Sequence, residues 1–531
     1  MTTAATVYRA GTVLTMDPAQ PVAEWVAVAD GRIAAVGNGE HPSGSVVDLG
    51  DVTVLPGFHD AHVHPPLGGL AMIRCDLHDL ATPAEYVAAV ADYARRHPDE
   101  PWILGGGWAM DAFPHGRATA AALDAVVPDR PVLLHSREGH AAWANSLALS
   151  IAGVDATTPD PADGRIERSG DGAPSGTLQE GAADLVDRVA PDATVADYVR
   201  AIAAAQRHLL AFGVTSWQDA WVTPAMQGAY VELDRDGGLI GDVRAALWWD
   251  RERGVEQLDE LIARSHEGSP RMRPHSVKLM VDGVCENGTA AMRKPYVGTT
   301  STGLQFIPRD VLLEAVPQIM AAGLQPHFHA IGDRAIGDAL DAVQAGNPED
   351  VARVRPHIAH IQVIDPGDVP RFAALGVAAN AQAYWACHDP CMTELTMPRL
   401  GDARTALQYP FRTLLDTGAR LVAGSDWSVS TANPFEQMAV AVTRSQPGFP
   451  EPFRPEQALT AAEMLEAFTT GSAWINHAEH RSGALRPGLA ADFVITDRNP
   501  LACAPAALSD VRVVATYVAG ALVARADGGP S

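Results

Sequence analysis

The feature that most constrains the fold of this chain is an alternation of short apolar runs with segments of helical period across its middle. Helical segments such as "RDVLLEAVPQIMAAG", "DRAIGDALDAVQAG" and "NPFEQMAVAVTRSQ" lie among six strand-like runs: "GVTSWQDA", "SVKLMVDG", "LQPHFHAIG", "HIAHIQVI", "GVAANAQA" and "RLVAGSD". Such alternation is typical of parallel strands covered by helices. It predicts an α/β barrel. An open doubly wound sheet stays possible, but no GxGxxG or P-loop pattern marks a nucleotide-binding turn.

The two ends of the chain have a different pattern. Both read as short strands separated by Gly, Pro and Asp, for example "AEWVAVADGRIAAVG" near the start and "ADFVITD" near the end. This predicts one small β module built from residues 1–56 and 483–531, beside a barrel domain of residues 57–482. Residues 66–190 fit the alternation poorly and are rich in Pro, Gly and Trp, so we interpret them as an insertion that covers the barrel mouth.

Composition excludes several function classes. The 531 residues carry a formal net charge of −25, which argues against binding to nucleic acid or to an anionic membrane surface. The first residues have neither a basic nor an apolar signal segment, so a cytoplasmic location is expected. The five cysteines are scattered, and "CHDPC" is interpreted as two thiols, Cys387 and Cys391, and not as a metal site.

Polar side chains stand at the carboxyl ends of several predicted strands, where parallel barrels gather their chemistry. His62 and His64 can face one ion because side chains two apart on a strand share a face. Alone, this pair fits a metal site and two structural histidines equally well. The decisive observation is that further candidate ligands follow at later strand ends, namely Lys278, His329, His360 and Asp426.

Lys278 would be costly at the centre of an apolar strand unless it is paired or neutral. Three interpretations follow: an ion pair with Asp282 or Glu286, a head group that reaches past the strand end, or reaction with carbon dioxide to a carbamate that bridges two cations. Around the candidate ligands, we expect Asp60 to stabilise a turn, with orientation of an imidazole as the alternative. His59 is expected to be a surface or packing residue, and Asp333 a helix cap, with orientation of His329 as the alternative. His327 and His357 are expected to be neighbours of the site, since one member of each of the pairs His327/His329 and His357/His360 could support a ligand or contact the substrate.

The ordered motifs "LPGFHDAHVH", "VKLMVDGVCENGTAAM", "HFHAIGDRAIGDAL", "HIAHIQ" and "AGSDWSVSTANPFEQMAVAVTR" resemble those of the metal-dependent amidohydrolase superfamily. More narrowly, the chain resembles the YtcJ-like branch, which includes N-substituted formamide deformylase. The resemblance covers nearly the whole chain. It implies a distorted TIM barrel with a composite β-sandwich, one or two divalent metal ions, usually zinc, and a homodimer.

The resemblance also implies roles for individual residues. His62, His64 and Asp426 would hold the more buried ion, and carboxylated Lys278 would bridge it to a second ion held by His329 and His360. The stretch "EGHAAWANS" would lie near the mouth, which makes His140, Trp143 and Asn145 candidate substrate-binding residues. Helix packing for Trp143 and helix capping by a neighbouring polar residue are the alternatives.

The expected reaction is hydrolysis of a C–N bond in a small amide, formamide or N-acyl compound. Metal-activated hydroxide would attack the carbonyl while Asp426 takes up a proton and then gives it to the leaving nitrogen. One alternative is a deaminase or cyclic-amide hydrolase of the same superfamily; deaminases of this group generally use one metal and do not need Lys278. Another alternative is a regulatory protein that binds metal without catalysis.

Overall fold

The computed structural model describes residues 5–526, and eight parallel strands form its central barrel. They pair in chain order, and are β1 (Phe58–Val63), β2 (Val214–Val222), β3 (Asp242–Trp248), β4 (Met272–Met280), β5 (Gln325–Ala330), β6 (His357–His360), β7 (Ala378–Ala381) and β8 (Leu421–Ala423). Beyond the ends of β8 and β1, the Asp426 amide donates to the His62 carbonyl at 2.7 Å, and the His64 amide donates to the Trp427 carbonyl at 2.7 Å. The barrel is therefore nearly closed, and the predicted TIM-like α/β fold is confirmed.

The sequence pattern missed strand β3. Its run "DVRAALW" contains two charged residues, which interrupt the apolar pattern expected of a buried strand. Inside the barrel the two charges neutralise each other, since Arg244 Nη1 lies 3.0 Å from Asp242 Oδ1 and both side chains are buried. Arg244 Nε also donates to the Asn476 carbonyl at 2.8 Å. The strand therefore does not read as an apolar run in the sequence, although its two charged residues form an ion pair in the folded barrel.

Helices cover the barrel, and the three helical segments predicted above are among them. The helix Asp333–Gln344 buries Ile336, Leu340 and Val343, which recur on one face at helical spacing. The main covering helices are Val195–Ala211, Pro224–Arg235, Leu258–Ser265, Arg309–Ala321, Asp333–Gln344, Pro348–Val354, Val369–Leu375, Phe411–Asp416, Pro434–Thr443 and Ala461–Glu466. Within residues 5–526, none of the helices has the length and apolarity needed to cross a membrane.

The two ends of the chain meet in one eight-stranded sheet beside the barrel. Its strands are Ala5–Leu14, Val22–Ala29, Arg32–Gly37, Gly44–Asp48, Thr53–Pro56, Phe493–Thr496, Val513–Val518 and Ala521–Arg525. The two ends join where Thr53–Pro56 pairs antiparallel with Phe493–Thr496. Because Thr53–Pro56 is followed almost at once by β1, this sheet is joined to the amino end of that strand. The domain limits given above stay a prediction.

The segment of residues 66–190, between β1 and β2, is folded around a core of its own. Six strands form its sheet: Cys75–Asp76, Ile103–Trp108, Val132–Ser136, Ala141–Ala144, Gly164–Arg168 and Pro174–Glu180. Its longest helix, Pro83–Arg96, begins with a capping box between Thr82 and Glu85. Trp108, Trp143 and Tyr86 are fully buried in its core. We call this part of the chain the inserted segment.

Candidate metal centre

Three predicted ligands converge where β1 and β8 end. Asp426 Oδ1 lies 3.3 Å from His62 Nε2 and 3.2 Å from His64 Nε2. His360, the last residue of β6, has a ring nitrogen within 4.8 Å of the donor atoms of His62 and Asp426. Two imidazoles around one carboxylate oxygen, with a third close by, form a nitrogen and oxygen donor set that fits a divalent cation such as zinc.

The remaining predicted ligands lie on the adjoining strands. The ring centroids of His329, on β5, and His360 are 4.6 Å apart, and those of His62 and His360 are 4.8 Å apart. Lys278, on β4, is 2% exposed. The structure thus brings together all six residues predicted as ligands, which we call the candidate metal centre: His62, His64, Lys278, His329, His360 and Asp426.

Backbone conformation sets two of these residues apart. His360 has φ 74° and Asp426 has φ 58°, both in the left-handed region that residues other than glycine rarely adopt. Such conformations persist only where the surrounding structure enforces them, and they concentrate at functional sites. Around Asp426 that structure includes Asp60, whose Oδ1 accepts hydrogen bonds at 3.0 Å from the backbone amides of both His62 and Ser425.

Burial leaves the centre with neutral imidazoles and an ionised carboxylate. It lowers the pKa of His62, His64, His329 and His360, so each ring keeps a lone pair for a cation at neutral pH. Burial alone would raise the pKa of Asp426, but the hydrogen bond from His64 and the electrostatic effects of His360, His64 and Lys278 outweigh it, and the pKa is lowered. These are the protonation states that metal ligands require.

Lys278 has an environment that favours its uncharged amine. Burial lowers the pKa of Lys278 to about 7, against the opposing effects of Asp426 and Asp219. Asp219, on β2, is a residue that the sequence reasoning did not single out. It is fully buried, accepts a hydrogen bond from the Tyr230 hydroxyl at 2.8 Å, and burial raises its pKa to about 8. Its carboxyl group adds to the titratable groups around Lys278.

Two neighbours differ from what the sequence predicted, and a third is resolved between its two alternatives. Asp282 is not the ion-pair partner suggested for Lys278; its carboxylate accepts hydrogen bonds from the backbone amides of Ala291, Ile331 and Gly332. Asp333 makes no cap hydrogen bond, since its Oδ1 accepts from the Arg293 amide at 2.8 Å. Of the two roles expected for His59, packing is the one that fits, because the side chain is fully buried, and burial lowers its pKa to about 4.

The inserted segment brings one histidine to the centre. The rings of His140 and His329 have centroids 5.5 Å apart. Glu180, from the same segment, accepts a hydrogen bond from His140 Nδ1 at 2.9 Å, and it accepts another at 2.6 Å from the hydroxyl of Thr289, which lies beyond the end of β4. Burial opposes protonation of His140, but the Glu180 carboxylate outweighs it and raises the pKa.

The other two predicted substrate-binding residues have different surroundings. Trp143 donates from Nε1 to the Thr119 carbonyl at 2.8 Å and packs against Trp108 and Phe113. Asn145 caps the helix Ser146–Ile151 and makes further hydrogen bonds to the backbone around it. These contacts all lie within the inserted segment, and in the described part of the chain His140 is the one of the three that contacts the candidate metal centre.

Sequence comparison identifies relatives along nearly the whole chain. The family model described as "Amidohydrolase family" matches residues 45–524. An N-substituted formamide deformylase of Arthrobacter pascens is 30% identical over 528 residues, which cover 96% of each chain. The putative amidohydrolase YtcJ of Bacillus subtilis (strain 168) is 27% identical over 533 residues, 97% of this chain and 99% of the relative.

A solved structure agrees with this result. The crystal structure of an uncharacterized metal-dependent hydrolase from Pyrococcus horikoshii OT3 superimposes with a TM-score of 0.75 at 26% identity, covering 94% of this chain and 99% of the other. The similarity therefore includes the inserted segment and the terminal sheet as well as the barrel.

Proposed function

The chain belongs to the amidohydrolase family and is a hydrolase of carbon–nitrogen bonds other than peptide bonds; from this premise we propose that its substrate is a small linear amide, formamide or N-acyl amine. The observation that carries the proposal is the position of Asp426 Oδ1 between His62 Nε2 and His64 Nε2, at 3.3 and 3.2 Å. A carboxylate placed there can serve both as a cation ligand and as a proton carrier. The relationship to a formamide deformylase favours an acyl or formyl group on the cleaved nitrogen.

Zinc is the ion we propose, because imidazole and carboxylate donors suit it. His62, His64 and Asp426 would hold one ion, and His329 and His360 a second. Lys278 would bridge them after its neutral amine attacks carbon dioxide, forms an N–C bond and releases one proton to give a carbamate. Bound there, a divalent cation would polarise the substrate carbonyl and lower the pKa of a water molecule toward neutrality.

Two side chains carry the remaining chemistry. Oδ1 of Asp426 faces both imidazoles, so we assign proton transfer to its other oxygen, which accepts the proton of the attacking water. Asp426 then donates that proton to the leaving nitrogen, because an amide anion is too basic to depart. His140, held by Glu180, is assigned to the substrate: its protonated ring can donate a hydrogen bond to the carbonyl oxygen as negative charge develops there.

A substrate panel tests the proposal. Zinc-loaded protein is assayed with N-formyl, N-acetyl and longer N-acyl amines, with cyclic amides, and with aminated heterocycles that report deamination. We expect hydrolysis of linear amides, abolished by chelation and restored by zinc. Turnover confined to the cyclic amides or to the heterocycles would contradict the linear-amide assignment. Tight zinc binding without turnover of any compound would favour a regulatory role instead.

A further inference from the structure

His327 and His357 lie directly beside the candidate metal centre but are not among its six residues. His327 pairs in register with Lys278 on β4 and with His357 on β6. Residues paired in this way on parallel strands point to the same side of the sheet. All three side chains therefore face the barrel interior, and both histidines are fully buried.

His327 touches one candidate ligand through its ring nitrogen. His327 Nε2 lies 2.8 Å from His62 Nδ1, which is hydrogen-bond distance. The other ring nitrogen of His62, Nε2, is the one that lies near Asp426. When Nε2 gives its lone pair to a cation, the proton of the neutral ring must be on Nδ1, and His327 Nε2 has to accept it.

A chain of contacts fixes the position of His327. Its ring packs against that of His357, with centroids 4.0 Å apart. His357 Nδ1 accepts a hydrogen bond at 3.1 Å from the side-chain Nδ2 of Asn380, which also donates at 3.0 Å to the carbonyl of Ala61, the residue before His62. The network thus starts at His62 and returns to the same strand. Buried waters are the usual partners of atoms such as His327 Nδ1 and His357 Nε2, which have no hydrogen-bond partner among the described residues.

We propose that His327 is a positioning residue of the metal site: it accepts the hydrogen bond of His62 Nδ1 and so holds the lone pair of His62 Nε2 toward Asp426. His357 keeps the His327 ring in place through the contact between the two rings. This inference rests on the proposed metal-dependent function. Loss of a group that orients a ligand typically weakens metal binding 10- to 100-fold, and the role belongs to the acceptor atom, so a different acceptor of similar reach restores it.

Zinc affinity of three variants tests this role, measured by competition with a chromophoric chelator. H327L removes the acceptor, and H327Q keeps one in its amide oxygen. H59F is the matched control, because His59 is equally buried on β1 and neither of its ring nitrogens has a hydrogen-bond partner within residues 5–526. We expect H327L to bind zinc 10- to 100-fold more weakly than wild type, and H327Q and H59F to stay within about threefold.

Other outcomes separate the two proposals. Wild-type affinity in H327L, or equal weakening in H327L and H327Q, would overturn the positioning role and leave the proposed function intact. Failure of wild-type protein to bind zinc would overturn both. If H327L does not fold, NMR of the ring nitrogens in zinc-loaded, ¹⁵N-histidine-labelled wild type tests the positioning role of His327. A protected proton on His62 Nδ1 whose resonance shifts in H327Q supports this role. A rapidly exchanging proton on His62 Nδ1 contradicts it.

Discussion

The carboxyl ends of the barrel strands and the inserted segment use the same kinds of residue in different ways. At the strand ends, six side chains from five strands converge on one centre, and two of them are held in left-handed backbone conformations. In the inserted segment, Trp143 and Asn145 direct their polar groups to their own backbone surroundings. His140, held by Glu180, reaches from the segment to the centre.

This difference follows from what each part of the fold must satisfy. The barrel supplies the backbone hydrogen bonds of its strands, so side chains at the strand ends are free to bind a ligand. The inserted segment has short strands and a small core, and its buried amide and indole groups are needed to satisfy backbone atoms. Substitutions at the strand ends should therefore change chemistry, and substitutions in the segment should change stability.

The largest expected effect is that of Asp426→Asn. The amide keeps the shape and one oxygen of the carboxylate but cannot carry the proton, so kcat/KM should fall about 10³-fold, within the range for loss of a general acid or base. Steady-state kinetics on the best compound of the panel, with zinc content measured in parallel, check this. Asp333→Asn is the matched control, since an amide oxygen can still accept from the Arg293 amide. Full activity of Asp426→Asn would contradict the proton transfer.

The next effect is that of Lys278→Met, which keeps the volume of the side chain and removes the amine. Without a carbamate, no group bridges the two cations, so zinc content should fall from about two to about one ion per chain. The weaker site should lose at least about 100-fold in zinc affinity, which is more than the loss of a group that only orients a ligand causes. Metal analysis and chelator competition measure this. Wild-type protein supplied with ¹³C-bicarbonate should show a carbamate resonance that the variant lacks. Unchanged zinc content in the variant would exclude the bridge.

Much of the barrel could be predicted because strands that are buried on both faces read as apolar runs, and their carboxyl ends meet. Lys278 stood out as a charge inside such a run. Asp219 is likewise a charged residue inside a strand-like run, "GVTSWQDA", but it is not among the predicted site residues. Strand β3 was missed because Asp242 and Arg244 neutralise each other only once the chain is folded.

The role of Glu180 had no signal in the sequence. It lies 40 residues from His140 along the chain, and its partner Thr289 lies 109 residues away, beyond β4. Glu180 has φ 51°, and a Cβ atom at Gly283 would lie only 2.5 Å from Glu180 Oε1, so close packing also defines the position of Glu180. Periodicity does not encode such contacts. The histidines of "HFHAIGD" are equivalent in sequence, and only the distance from His327 to His62 gives them different roles.

The smallest effect on activity is expected for Asn145→Ala, which should instead destabilise the inserted segment. Asn145 accepts hydrogen bonds from the Val132 and Ala148 amides and donates to the Val127 and Arg130 carbonyls, all at 2.9 to 3.1 Å. Loss of a cap costs about 1 kcal/mol, and each buried group left unpaired adds about 1–3 kcal/mol. The free energy of unfolding should fall by at least about 3 kcal/mol in denaturant titrations, with kcat/KM of folded protein within about threefold.

Asn347→Ala provides the matched comparison for this variant. Asn347 also caps a helix, Pro348–Val354, but it is exposed and accepts a single hydrogen bond, from the Glu349 amide at 3.0 Å. Its removal should cost less than about 1 kcal/mol. If Asn145→Ala instead raised KM more than about tenfold while unfolding like Asn347→Ala, Asn145 would contact substrate, and the contrast between the strand ends and the inserted segment would be wrong at that position.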